Sequence, residues 1–225
     1  MTDDDKENLL VLGDSHTQVF KSGRFPHNFP QFNWDVLTVI GATISGIDNP
    51  NSKTNAMQIY NERLEKRDFS KVILQLGEVD IGFVMWFKSQ RDAIPISEYF
   101  DLTLTKYQEF IEKVRSYCEN VMVVSVPLPT IRDGETLGKV ANQRSNIHAT
   151  QEERTKLTLK FNSLLKAYCE STCILYLDLD YVSLGDDGLV SDRLRNKDKA
   201  DHHYCKFAYS EVLVENLKKV IANGW

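Results

Sequence analysis

Five short apolar runs punctuate this chain, at residues 9–12, 34–40, 72–76, 121–126 and 174–177, and the segments between them are long enough to hold helices. Runs of this length that stay apolar, instead of alternating with polar residues, read as strands covered on both faces. Strands of that kind separated by helical segments predict an α/β fold of three layers, α/β/α, around a five-stranded parallel sheet. The helices have their own signatures. Phe100, Leu104, Tyr107, Ile111, Val114 and Cys118 fall at four-and-three spacing, with Ser97 offered as the cap. Thr150 and Glu153 form a capping box ahead of Leu157, Phe161, Leu164, Leu165 and Tyr168. Further helices are expected at 51–66 and 207–221, and an irregular connection carrying His27 at 21–33. Residues 81–87 are apolar and aromatic with no clean period, and 130–149 form a polar loop, containing His148, of a length typical of lids and binding loops. Residues 1–8 are expected to be a loose tail, and 9–225 a single domain.

Composition narrows the function. With 27 basic and 32 acidic residues among 225, the net charge of -5 supplies no field that would favour nucleic acid or an anionic membrane surface. No apolar run approaches the roughly 20 residues that span a bilayer. The acidic opening Met1-Thr2-Asp3-Asp4-Asp5 is the reverse of a signal peptide, so the expected location is cytoplasmic. Four cysteines, Cys118, Cys169, Cys173 and Cys205, contain no Cys-x-x-Cys pair and are expected to be reduced and buried. The expected partner is a small molecule or a glycan, and neither a metal nor another cofactor is called for.

In open α/β sheets ligands bind beyond the carboxyl ends of the strands. Four motifs lie there: Gly13-Asp14-Ser15-His16, Gly41, Gly77-Glu78-Val79-Asp80, and Asp201-His202-His203. A serine hydroxyl becomes a nucleophile when a histidine takes its proton and an acid fixes that histidine's tautomer. Ser15 is the candidate nucleophile, His202 or His203 the base and Asp201 the acid. The amides of Ser15 and Gly41 are candidate donors to a tetrahedral oxyanion.

These motifs, in this order, resemble the blocks of the SGNH (GDSL-type) hydrolases, a family of serine esterases, lipases and glycan deacetylases with a flavodoxin-like fold. The first block matches Gly13-Asp14-Ser15 and makes Ser15 the nucleophile. The second-block glycine, an oxyanion donor, matches Gly41 in Gly41-Ala42-Thr43-Ile44-Ser45-Gly46. The last block, histidine followed by a C-terminal helix, matches His203 and selects it as the base. The resemblance therefore implies hydrolysis of acyl esters, small acetyl or glycan-linked ones, or transfer of the acyl group to a sugar hydroxyl. Two positions depart from the pattern. Val79 stands where the third block has the asparagine whose amide completes the oxyanion hole, which leaves a protonated Glu78 or water as substitute. Ala200 stands where the family has its acid, which leaves Asp201, one residue displaced. Asp14, Glu78, Asp80 and His202 are expected to support the site or to contact substrate.

Two other readings fit parts of the pattern. Asp14-x-His16, the carboxylates of 77–80 and Asp201-His202-His203 are the donors of a metal-dependent phosphoesterase, although the histidine-rich blocks of such enzymes are missing. A chain lacking the third-block asparagine could also keep the fold for binding alone, with Ser15 a turn residue.

Overall fold

The structure, a computed structural model, describes residues 6–135, 138–139, 144 and 146–225. Strands β1 (Glu7–Gly13), β2 (Phe32–Thr38), β3 (Lys71–Gln75), β4 (Val121–Val124) and β5 (Leu175–Leu177) form one parallel sheet in the order β2-β1-β3-β4-β5. Strand side chains alternate between two cores. Leu10, Leu12, Val72, Leu74 and Val123 pack on one face against α2 (Ala56–Leu64), α4 (Ile96–Arg115) and α5 (Gln151–Ser171). Leu9, Val11, Ile73, Met122 and Val124 pack on the other against a 3-10 helix (Ser15–Lys21), α1 (Arg24–Asn28) and α7 (Lys206–Ala222). The inner strands β3 and β4 are covered on both faces, which is why they read as apolar runs, whereas the edge strands β2 and β5 are mostly half-buried or exposed. Each fully buried Val, Leu or Ile stabilises this arrangement by roughly 1.5–3 kcal/mol.

Several boundaries differ from those expected. β1 begins at Glu7, so Glu7 and Asn8 belong to the sheet, paired with Phe32 and Asn33, and of the expected tail residues 1–5 lie outside the described part. The segment 21–33 is not wholly irregular, because it contains α1, on which His27 is exposed. α2 starts at Ala56 and not near 51, since Asn55 takes a left-handed φ of 48° that a helix cannot continue. α4 is capped by Pro95 without any side-chain bond, so Ser97 is not its cap. The capping box of Thr150 and Glu153 forms as expected. Residues 81–87 lacked a 3.6 period for a physical reason: Asp80–Val84 is a turn of π-helix leading into α3 (Met85–Asp92), and its wider winding rotates successive side chains off one face. The polar segment after β5 contains the short α6 (Asp180–Ser183). All four cysteines are free, but only Cys118 and Cys169 are buried; Cys173 is exposed at the left-handed end of α5, and Cys205 is half-buried. Among the described residues no helix is long and apolar enough to cross a membrane.

Candidate active site

The site begins where β1 ends. A Cβ on Gly13 would lie 2.0 Å from the Gln75 carbonyl oxygen and 2.4 Å from Thr17 Cγ2, so only glycine lets the chain turn here against β3. Tyr60 Oη donates to the Gly13 carbonyl at 2.9 Å and fixes the same turn from the opposite layer. Asp14 caps the 3-10 helix. Its Oδ1 accepts from His16 N at 2.9 Å and lies 3.0 Å from His16 Nδ1, while Oδ2 accepts from Gly77 N at 3.3 Å. Asp14 is thus spent on holding β1 and β3 ends together. Ser15, the first residue of the 3-10 helix, is left at the rim of the sheet.

Ser15 Oγ lies 2.8 Å from His203 Nε2, and His203 Nδ1 lies 2.6 Å from Asp201 Oδ1. With the proton on Nδ1, facing the carboxylate, Nε2 is free to accept the serine proton. Asp201 Oδ1 also accepts from His203 N at 3.0 Å, and Oδ2 accepts from Asn196 Nδ2 at 2.8 Å. Burial raises the Asp201 carboxyl, but the His203 amide and ring outweigh it and keep the group below its ordinary range. The acid two residues before the histidine thus reaches it, where one three before would have stood at Ala200. The loop is anchored around them: Thr130 Oγ1 donates to the His202 carbonyl, and Cys205 N donates to Leu194 O at 2.7 Å.

Gly41 has φ +75° and borders the same cavity as Ser15. The loop it opens is pinned from below, since Asp80 accepts from Ile44 N at 2.6 Å and Ser45 N at 3.0 Å. Asp80 is fully buried, and burial, only partly offset by these donors, pushes its carboxyl up to about 6. Both of its oxygens are turned to the backbone of the 41–46 loop.

Glu78 overturns the expectation that it replaces the missing amide in protonated form. Its oxygens accept from Arg144 Nη1 at 2.6 Å and Nη2 at 2.9 Å, with both side chains buried. Burial raises the Glu78 carboxyl, but the Arg144 charge and hydrogen bonds outweigh it and hold the group far below its ordinary value. It is a carboxylate and has no proton to donate. Val79 borders the cavity, and its side chain has no donor.

Two further histidines surround the relay. The His16 ring centroid is 4.8 Å from that of His203, and the His202 centroid is 4.0 Å from it. His16 is raised above its ordinary value, because Asp14 outweighs the effect of burial. Burial pushes His202 down to about 4, so it is neutral near pH 7. Asp201, His202 and His203 offer ligand atoms within 4.8 Å of one another. Both His203 nitrogens, however, already face Asp201 and Ser15, and Asp14 and His16 face each other.

The structure brings Ser15, Gly41, His202 and His203 to one cavity of about 440 Å³. Sequence reasoning placed these residues on the right edge but missed Arg144, which joins them from the segment 130–149. A single arginine in a charged loop carries no pattern that marks it as buried.

The sheet order and the helices on both faces give the chain the three-layer α/β/α fold seen in the SGNH (GDSL-type) hydrolases. Neither the family models nor the curated proteins compared with it match the sequence. Among solved structures, it is similar to a GDSL-like lipase from Bacteroides thetaiotaomicron, at 14% identity and TM-score 0.62 over 97% of this chain and 89% of that one. An acetylxylan esterase from Geobacillus stearothermophilus matches at 12% identity and TM-score 0.56, over 97% of this chain and 94% of that one. A further acetyl xylan esterase matches at 11% identity and TM-score 0.56, over 95% and 99%.

Proposed function

We propose that this chain is a serine esterase in which Ser15 is the nucleophile, His203 the general base and Asp201 the residue that orients it. The observation that carries this reading is the continuous line Ser15 Oγ, His203 Nε2, His203 Nδ1, Asp201 Oδ1, with steps of 2.8 and 2.6 Å. Ser15 attacks an ester carbonyl as His203 takes its proton. The amides of Ser15 and Gly41 donate to the oxyanion. His203 returns the proton to the departing alcohol, and water, deprotonated in turn by His203, frees the acid and regenerates Ser15. A sugar hydroxyl in place of water would make the same site an acyltransferase. Small acetyl or glycan-linked esters are the substrates this reading favours, in keeping with the acetyl xylan esterases that share the fold.

Hydrolysis of p-nitrophenyl acetate tests the reading. Ser15→Ala or His203→Ala should lower kcat by about a thousandfold or more, with chelator leaving the activity of the unsubstituted protein intact. Hydrolysis that survives Ser15→Ala but is abolished by chelator would contradict it.

A further inference from the structure

The cavity beside Ser15 is built unevenly. Ile40, Val79, Phe83 and Val84 give it apolar walls, and its volume of about 440 Å³ falls within the roughly 300–1,000 Å³ of pockets that enclose a whole small ligand. Among the described residues that line it, Arg144 carries the one fixed charge, and no carboxylate faces the space. Arg144 is only 6% exposed. Glu78 holds it by two parallel hydrogen bonds, and the Phe83 ring lies 5.7 Å from Cζ. The fork is therefore fixed before any ligand arrives, and each η nitrogen carries a second N–H that the pair with Glu78 does not use.

A second buried cation stands behind it. Arg154, 3% exposed, donates to the Ile131 carbonyl at 2.7 Å and the Thr150 carbonyl at 3.3 Å. Asp133 lies 3.8 Å from it, with a side chain that is 58% exposed. Burial, and then the nearby Arg144 charge, lower the affinity of Arg154 for its proton. The buried carboxylate of Glu78 pairs with Arg144, and Arg154 has the half-exposed Asp133 instead. Among the described residues that line the cavity the Arg144 guanidinium stands without an opposing charge on the open side, and an anion is its complement.

We propose that the cavity receives an anionic group of the substrate, a carboxylate or phosphate, on the Arg144 guanidinium, while the ester carbon lies at Ser15. This deepens the esterase reading and rests on it. Arg144 is a specificity residue here, and it discriminates charged from neutral esters of the same size.

Binding to the Ser15→Ala protein, which cannot turn over, measures the discrimination directly. Calorimetric titration compares mono-p-nitrophenyl succinate with its methyl-capped, neutral counterpart. The anionic ester should bind about ten- to a hundredfold tighter, the increment of charge-assisted hydrogen bonds. The preference should vanish when Glu78→Gln and Arg144→Gln are combined, which replaces the buried ion pair with a neutral pair. Competition by free succinate and by inorganic phosphate identifies which anion the fork prefers. Should the combined variant fail to fold by circular dichroism, Arg144→Lys replaces it, keeping the cation and losing the fork. Equal binding of the two esters, or a preference undiminished in these variants, would overturn the proposal. Turnover of both esters by the unsubstituted protein without preference would leave the esterase reading standing and remove this one. Anion-selective binding without turnover would remove the esterase reading alone.

Discussion

Asp201 accepts from both the amide and the ring of His203, and this double hold orients the imidazole from only two residues away. Asp201→Asn keeps the shape but replaces one oxygen with a donor, which favours the wrong tautomer. A kcat loss of about 10²- to 10⁴-fold is expected in ester hydrolysis, with KM little changed. The neighbouring Glu78 makes a prediction about stability. Its carboxyl titrates below the ordinary 4.5 because of Arg144, so its contribution is present above pH 4.5 and is lost as the pH falls toward its folded-state value. Urea midpoints of the unsubstituted protein and Glu78→Gln should therefore converge on acidification below about pH 4.5; a constant gap would contradict the assignment. Asp80 acts in the opposite sense. Its raised carboxyl contributes stability below 3.8 that is lost as the pH rises through about 6. The candidate site residues that were legible in the sequence, Ser15, Gly41 and His203, lie just after a strand or just before a helix. The Glu78–Arg144 pair was not legible, because 66 residues separate its members and only the folded chain brings them together.

At the scale of elements, the site depends on three junctions. β1 must turn immediately at Gly13, the 41–46 loop must be held by Asp80, and the Asp201–His203 loop must be anchored before α7. Gly13→Ala tests the first. A methyl 2.0 Å from a backbone oxygen cannot be relieved by a rotamer change, so β1 and β3 must part. Destabilisation of about 3 kcal/mol is expected, at the upper end of the range for overpacking, which lowers Tm by about 6–12 °C for a chain of this size. An unchanged melting temperature by differential scanning fluorimetry would contradict this. The sequence located every strand to within about two residues, most plainly β3 and β4, where burial on both faces writes an apolar run. It located helix starts less well: Pro95 caps α4 without a side-chain bond, and the π-helical turn at Asp80–Val84 follows neither a helical nor a strand period.

Taken as a whole, the molecule places one dry core on each side of the sheet and gathers its reactive groups at the sheet's carboxyl edge. Ser15 and His203, 188 positions apart, meet there because α7 packs on the same face of the sheet as the 3-10 helix that follows β1. That meeting is the central claim, and a fluorophosphonate probe tests it most directly, because it bonds covalently only to a serine whose proton is being taken. Mass spectrometry after labelling should find one adduct, on the peptide containing Ser15, and none in His203→Ala. A folded protein that stays unlabelled at Ser15, or one whose labelling persists without His203, would contradict the account.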